Sequence, residues 1–355
     1  MNTQTTRISR RRRAIWLTVL LVSLVCAPSL ASAQSGVDRV RRLNGVDSGK
    51  ITATTPLGLT ISKGGVESTI PAEEIESVTF GGEPGELAAA RNALQAGRVQ
   101  DAIESLGKIN VGDVQREEIQ AEIDFNAAAA KAQLALSGQG DLSAAAVEVR
   151  GFLTKRNKSF HVPQAIELLG DVLAASGQQA SARTEYAKLA KAKSPYYELK
   201  SALLVGRTWQ AEGDHAQAQA EFDKVIASAD DGALLAPLKL AATLDGAVSQ
   251  AAGGKVKESA AAIGEIIAKT KPEDVKLLAR AYNALGDSYL QSGDSRGALF
   301  AYLHVDLLYN QDGDAHAKAL HQLVPLWKQV GRDSRSQETA EKLAEKYPGS
   351  RWAKQ

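Results

Sequence analysis

Few arrangements in this chain of 355 residues suit catalysis or metal binding. Its five histidines are His161, His215, His304, His316 and His321, and none stands at the i, i+4 spacing of a helical zinc pair with a third ligand in view. Gly253-Gly254-Lys255 lacks the spacing and the Ser or Thr of a phosphate loop, and no Gly-x-Ser-x-Gly nucleophile elbow is expected. Cys26 is the single cysteine. The chain is therefore expected to be no enzyme and to carry no metal or cofactor.

Cys26 sits in a leader-like segment. Arg7 and Arg10 to Arg13 form a cationic head, Ala14 to Val25 a short apolar stretch, and Ala31-Ser32-Ala33 a small-x-small pattern before Gln34. Residues 1–33 are read as an export signal peptide rather than an uncleaved anchor, since the apolar stretch is short for a membrane span. Val25 before Cys26 favours a cysteine in the discarded leader over a lipidation site. Loss of the leader takes five arginines and no carboxylate, so the formal charge moves from +1 to −4. The resulting chain, cysteine-free and without a basic cluster, excludes disulfides, thiolate chemistry and the electrostatic footprint of nucleic-acid binding. The expected location is periplasmic or secreted.

Residues 34–82 read as a small β domain. Ile51, Leu57, Leu59, Ile61, Val66, Ile70, Ile75, Val78 and Phe80 fall in short alternating runs broken by Asp47-Ser48-Gly49, Pro56, Lys63-Gly64-Gly65 and Gly81-Gly82. Four or five strands fit, and a closed or nearly closed antiparallel barrel of SH3-like or Sm-like kind would hide their edges. So thin a core should lean on the first helices. Arg39, Arg41, Arg42 and Lys50 are expected on a solvated rim. Residues 83–86 read as a hinge.

From residue 87 to 350 the organisation is periodic. Gly97, Gly140, Gly177, Gly213, Gly253, Gly293 and Gly331 recur at intervals of 36 to 43 residues, each followed by a second apolar stretch. Such a period indicates stacked helical hairpins that bury their apolar faces on one another. Leu169-Gly170, Leu173, Gly177, Ala182, Tyr186, Leu189 and Pro195 share a register with Val205-Gly206, Trp209, Gly213, Ala218, Phe222 and Val225, and with Leu285-Gly286, Tyr289, Gly293, Ala298, Tyr302 and Val305. The small residues are expected to let the two helices of a hairpin approach, and the aromatics to fill the space between successive hairpins. Trp209 and Trp327 are accordingly expected in the core. Residues 351–355 are left as a tail.

On these residues the region 87–350 resembles the tetratricopeptide repeat family, and with its β domain the chain resembles exported bacterial repeat proteins. The resemblance implies a mainly α fold, a right-handed superhelix of about seven helical hairpins behind a small all-β domain, and binding of a protein partner in a concave groove. In that family first helices line the groove. Here the matching positions are Lys200, Leu203, Arg207 and Gln210, then Arg280, Asn283, Asp287 and Gln291, then Lys318, His321 and Lys328; spacings of three and four put each set on one helix face. Arg207, Arg280 and Asn283 are expected to meet a peptide backbone or carboxylate, and charge reversal at both arginines to leave stability nearly unchanged. Two functions stay open: a non-catalytic envelope scaffold working through the groove, or an accessory part of an envelope enzyme or polysaccharide system with recognition in the β domain.

Overall fold

A computed structural model describes residues 36 to 354. The leader reading, Cys26 included, lies outside the described residues. Five antiparallel strands come first: β1 (Asp38–Arg42), β2 (Gly45–Thr55), β3 (Gly58–Lys63), β4 (Val66–Pro71) and β5 (Ile75–Thr79), with a 3-10 turn before the last. Their order is β4-β3-β2-β1-β5, so the last strand pairs with the first. Alternation buries Val40, Ile51, Leu59, Ile61, Ile70, Val78 and Phe80. Leu57 and Val66 depart from the sequence reading: they flank the two hairpin turns and are exposed.

Fourteen α-helices follow as seven hairpins: α1 (Gly85–Gln95) with α2 (Val99–Gly107), α3 (Glu117–Leu136) with α4 (Leu142–Lys155), α5 (Val162–Ala175) with α6 (Gln179–Tyr186), and α7 (Pro195–Ala211) with α8 (His215–Ile226). Then come α9 (Ala236–Ala252) with α10 (Val256–Lys269), α11 (Val275–Gln291) with α12 (Ser295–Leu308), and α13 (Gly313–Gln329) with α14 (Asp333–Lys346). The first helix thus begins at Gly85, inside the segment read as a hinge.

One turn chemistry closes every hairpin. At Gly293 (φ +81°) the Gly N–H donates to Leu290 O and the Asp294 N–H reaches back to Tyr289 O at 2.8 Å, the paired bonds of a left-handed helix stop. Asp294 then caps the next helix by accepting from Gly297 N–H at 2.8 Å. The same backbone bonds recur in all seven hairpins. In two of them the left-handed residue is not the glycine that the period selects: it is Gly138 rather than Gly140, and Gly254 rather than Gly253.

The aromatics occupy a different place from the one expected. Tyr302 on α12 lies over Gly286 of its own hairpin, where a Cβ would stand 2.6 Å from the ring, and Phe222 lies likewise over Gly206. Each glycine is the seat for its partner helix's ring, not merely a thin spot between two backbones. Tyr186, Phe222 and Tyr302 are buried, whereas Trp209 and Trp327 are only half-buried. The Arg183 guanidinium lies 3.7 Å from the Trp209 ring centroid and shields it from solvent.

The β domain does lean on the helices. One continuous core runs from Val40 through Phe80, Leu87 and Val149 to Leu204. Asp38, 1 % exposed, accepts from the Ile51 and Gly81 amides and from both terminal nitrogens of Arg116 at 2.7 and 3.0 Å. Burial opposes the charge, but Arg116 and the two amides hold this carboxyl below its usual range. Farther along, Ser194 before α7 donates to Glu73 at 2.6 Å. At the other end of the array the Gly349 backbone touches Gly138 in the α3–α4 turn so closely that neither position has room for a Cβ. The segment that follows the last hairpin therefore meets the second hairpin.

Candidate functional site

First helices pack on first helices: α3 on α5, α7 on α9, α9 on α11 and α11 on α13. Their shared face carries a chain of charges rather than the free cations expected from the sequence. Lys200 pairs with Glu167 at 2.8 Å, and Arg207 Nε donates to Asp245 Oδ2 at 2.8 Å. Arg280 holds the other oxygen of Asp245, and Lys318 pairs with Asp287. Asp245 is 3 % exposed, so two guanidiniums share one buried carboxylate. Burial and the neighbouring Arg207 hold the Arg280 pKa below its ordinary value.

The remaining predicted residues are spread along this face. Gln210 Nε2 donates to Asp245 O at 2.8 Å and to Ser249 Oγ at 2.9 Å, which ties α7 to α9. Asn283 is a correction: it is 4 % exposed, and its Nδ2 donates to Ala315 O at 2.9 Å, so it joins α11 to α13 instead of facing a groove. His321 stands 3.0 Å from Trp352 O, so the segment read as a tail packs on α13. Lys328 is exposed near the end of α13. The expected neutrality of charge reversal at Arg207 and Arg280 falls with the geometry, since it would surround a buried Asp245 with carboxylates.

The sequence reading passed over Glu167, Asp171 and Asp245. Asp171 follows Gly170, and Tyr186 OH donates to its Oδ1 at 2.7 Å; Asp287 follows Gly286, and Tyr302 OH donates to its Oδ1 at 2.7 Å. The signal was a Gly-Asp pair with a tyrosine fifteen residues on; the same spacing also occurs at Gly293-Asp294 with Tyr309, where the aspartate caps α12 instead. Asp171 borders a cavity of about 600 Å³ formed by α3, α5, α7 and the C-terminal segment that reaches Gly138. Leu136, Leu142, Leu204 and Ala211 supply its apolar wall, and Arg207, Asp314 and Arg351 part of its polar one.

Among the described residues no group of three or more His, Cys, Asp or Glu is placed to hold a metal ion, and no helix is long and apolar enough to cross a membrane. The letters of a nucleophile elbow do occur, contrary to the sequence reading, at Gly293-Asp294-Ser295-Arg296-Gly297. They form the α11–α12 helix stop and cap, not the strand-to-helix turn that exposes a nucleophile.

No protein-family model and no curated protein matches the chain. Solved structures do. A tetratricopeptide repeat protein from Parabacteroides merdae is 16 % identical with a TM-score of 0.50, covering 73 % of this chain and 91 % of that one. The fold is that of tetratricopeptide repeats. A Rap protein complexed with competence and sporulation factor has the same TM-score of 0.50 at 16 % identity, covering 74 % of this chain and 75 % of that one. The tetratricopeptide array here places its first helices along the charged face and its turns at the glycine stops.

Proposed function

We propose that this chain is an exported, non-catalytic interaction scaffold that holds an extended or helical peptide segment of a protein partner against the first-helix face. The observation that carries the reading is the cavity bordered by Asp171: it opens on the one face where charged side chains of successive first helices gather. The similar Rap fold, complexed with its factor, supports the same use of such an array. Export rests on the tripartite pattern of residues 1–33. The SH3-like reading of the β domain rests on the strand order, which brings β5 beside β1.

Site-specific photocrosslinking in cells tests this. A photoreactive residue at Ala175 or Ala211, both exposed at the cavity, is expected to capture a partner, whereas one at Val66 on the β domain or Leu307 on the outer side of α12 is not. Capture from Val66 alone would move recognition to the β domain. Fractionation with N-terminal sequencing checks the export component, with a mature end near Gln34 expected.

A further inference from the structure

The two hydrogen-bonded Gly-Asp…Tyr units differ at one point. Asp287 has its tyrosine and, from the next first helix, Lys318. Lys200 stands thirteen residues before its turn glycine, as Lys318 does, but it is bonded to Glu167 instead. Asp171 is thereby left with a tyrosine and no ion-pair partner within 4 Å among the described residues. It is also the member of the pair that faces the cavity.

We propose that the cavity binds a basic side chain of a peptide, with its ammonium or guanidinium paired to Asp171 and its apolar stem against Leu136, Leu142 and Leu204. This rests on the groove reading and names the chemistry that the groove selects. A volume of about 600 Å³ lies within the usual range of ligand pockets and admits two or three residues. Two guanidiniums at the wall do not compete, since Arg207 is taken up by Asp245 and Arg351 by Asp314. Lys354 stands exposed at the rim. Burial, then the neighbouring Glu167, pushes the Asp171 carboxyl up to about 6 against the opposing pull of the Tyr186 hydrogen bond and of the Lys200 and Arg207 charges.

Calorimetry on the full chain tests it with three probes: acetyl-Leu-Lys-Leu-amide, its norleucine analogue in place of Lys, and cadaverine as a free amine. The lysyl peptide is expected to bind at least about tenfold more tightly than the norleucyl peptide, a difference of one charged contact, and at least about tenfold more tightly than cadaverine, which keeps the ammonium but lacks the backbone and the leucines. Asp171→Asn should erase that preference while retaining the Tyr186 hydrogen bond. Tyr186→Phe, which keeps the carboxylate, should retain the preference. Lowering the pH from about 7.5 to about 5 should weaken the lysyl peptide about tenfold as Asp171 takes up a proton. Equal binding of the two peptides, an undiminished preference in folded Asp171→Asn, cadaverine as tight as peptide, or no lysyl-peptide binding up to about 1 mM would each overturn the proposal. Equal peptide binding would leave the groove reading standing, whereas absent crosslinks from Ala175 and Ala211 would remove that reading itself.

Discussion

Asp245 and Asp171 are carboxylates on neighbouring stretches of one face, and their surroundings lead to opposite expectations. Asp245 is held by Arg207 and Arg280, so Asp245→Ala leaves two guanidiniums facing one another. Because those cations are about a third exposed, the loss should be about 2 kcal/mol rather than the larger figure for a fully buried pair, read as a lower midpoint in urea. Asp171 works the other way. Folding raises its pKa from 3.8 to about 6, so the native state binds the proton more readily than the unfolded chain. Stability should therefore fall as pH rises from about 4 to about 6 and then level off. Asp171→Asn should flatten that slope and raise stability above about pH 6 by about 2 kcal/mol, measured by thermal unfolding across pH. Arg207 and Arg280 were legible in the sequence as residues of one helix face. Their shared Asp245 was not, because its repeat lacks the aromatic register and turns at Gly254 rather than Gly253.

Elements are where the sequence was most readable and where its errors are small and physical. A left-handed glycine that ends one helix specifies a hairpin locally, joined in three of the seven by an aspartate cap on the next helix (Asp141, Asp214 and Asp294), and the period alone located five of the seven turns. Gly138 and Gly254 escaped because a second glycine lies within two residues of each, and spacing cannot choose between them. The seat of the aromatics escaped because period fixes a residue's face and not which neighbour it meets. Two alanine substitutions separate these roles. Gly286→Ala should cost about 1 to 3 kcal/mol, since its Cβ would press on the buried Tyr302 ring, despite the gain in helix propensity. Gly151→Ala, at an exposed site inside α4 with open space around its Cβ, should stabilise by about 0.5 to 1 kcal/mol. Denaturant midpoints of the two variants should move in opposite directions from the parent.

The whole molecule is more connected than a linear stack of repeats. Nearest-neighbour packing supplies most of the stability of such an array, and distant repeats ordinarily do not meet. Here the shared core joins the β domain to the first hairpins through Phe80 and Leu87, and the contact of Gly349 with Gly138 brings the C-terminal segment back to the second hairpin. The first link was legible in the thin core of the β domain, whereas the second was not, because periodicity describes each repeat against the next and carries no information on curvature. The closing contact also forms one wall of the cavity, because Gly349, Ser350 and Arg351 border it opposite Asp171. Gly349→Leu should therefore separate the ends, since any side chain there meets the Gly138 carbonyl. Every hairpin keeps its own neighbours in that variant, so its melting midpoint should stay close to that of the parent while small-angle scattering shows a larger radius of gyration. A change in scattering without a change in melting would establish the contact as a clasp on the groove rather than a part of the core. An unchanged radius would mean that the array holds its curvature through helix packing alone, with the glycine contact a consequence of that curvature.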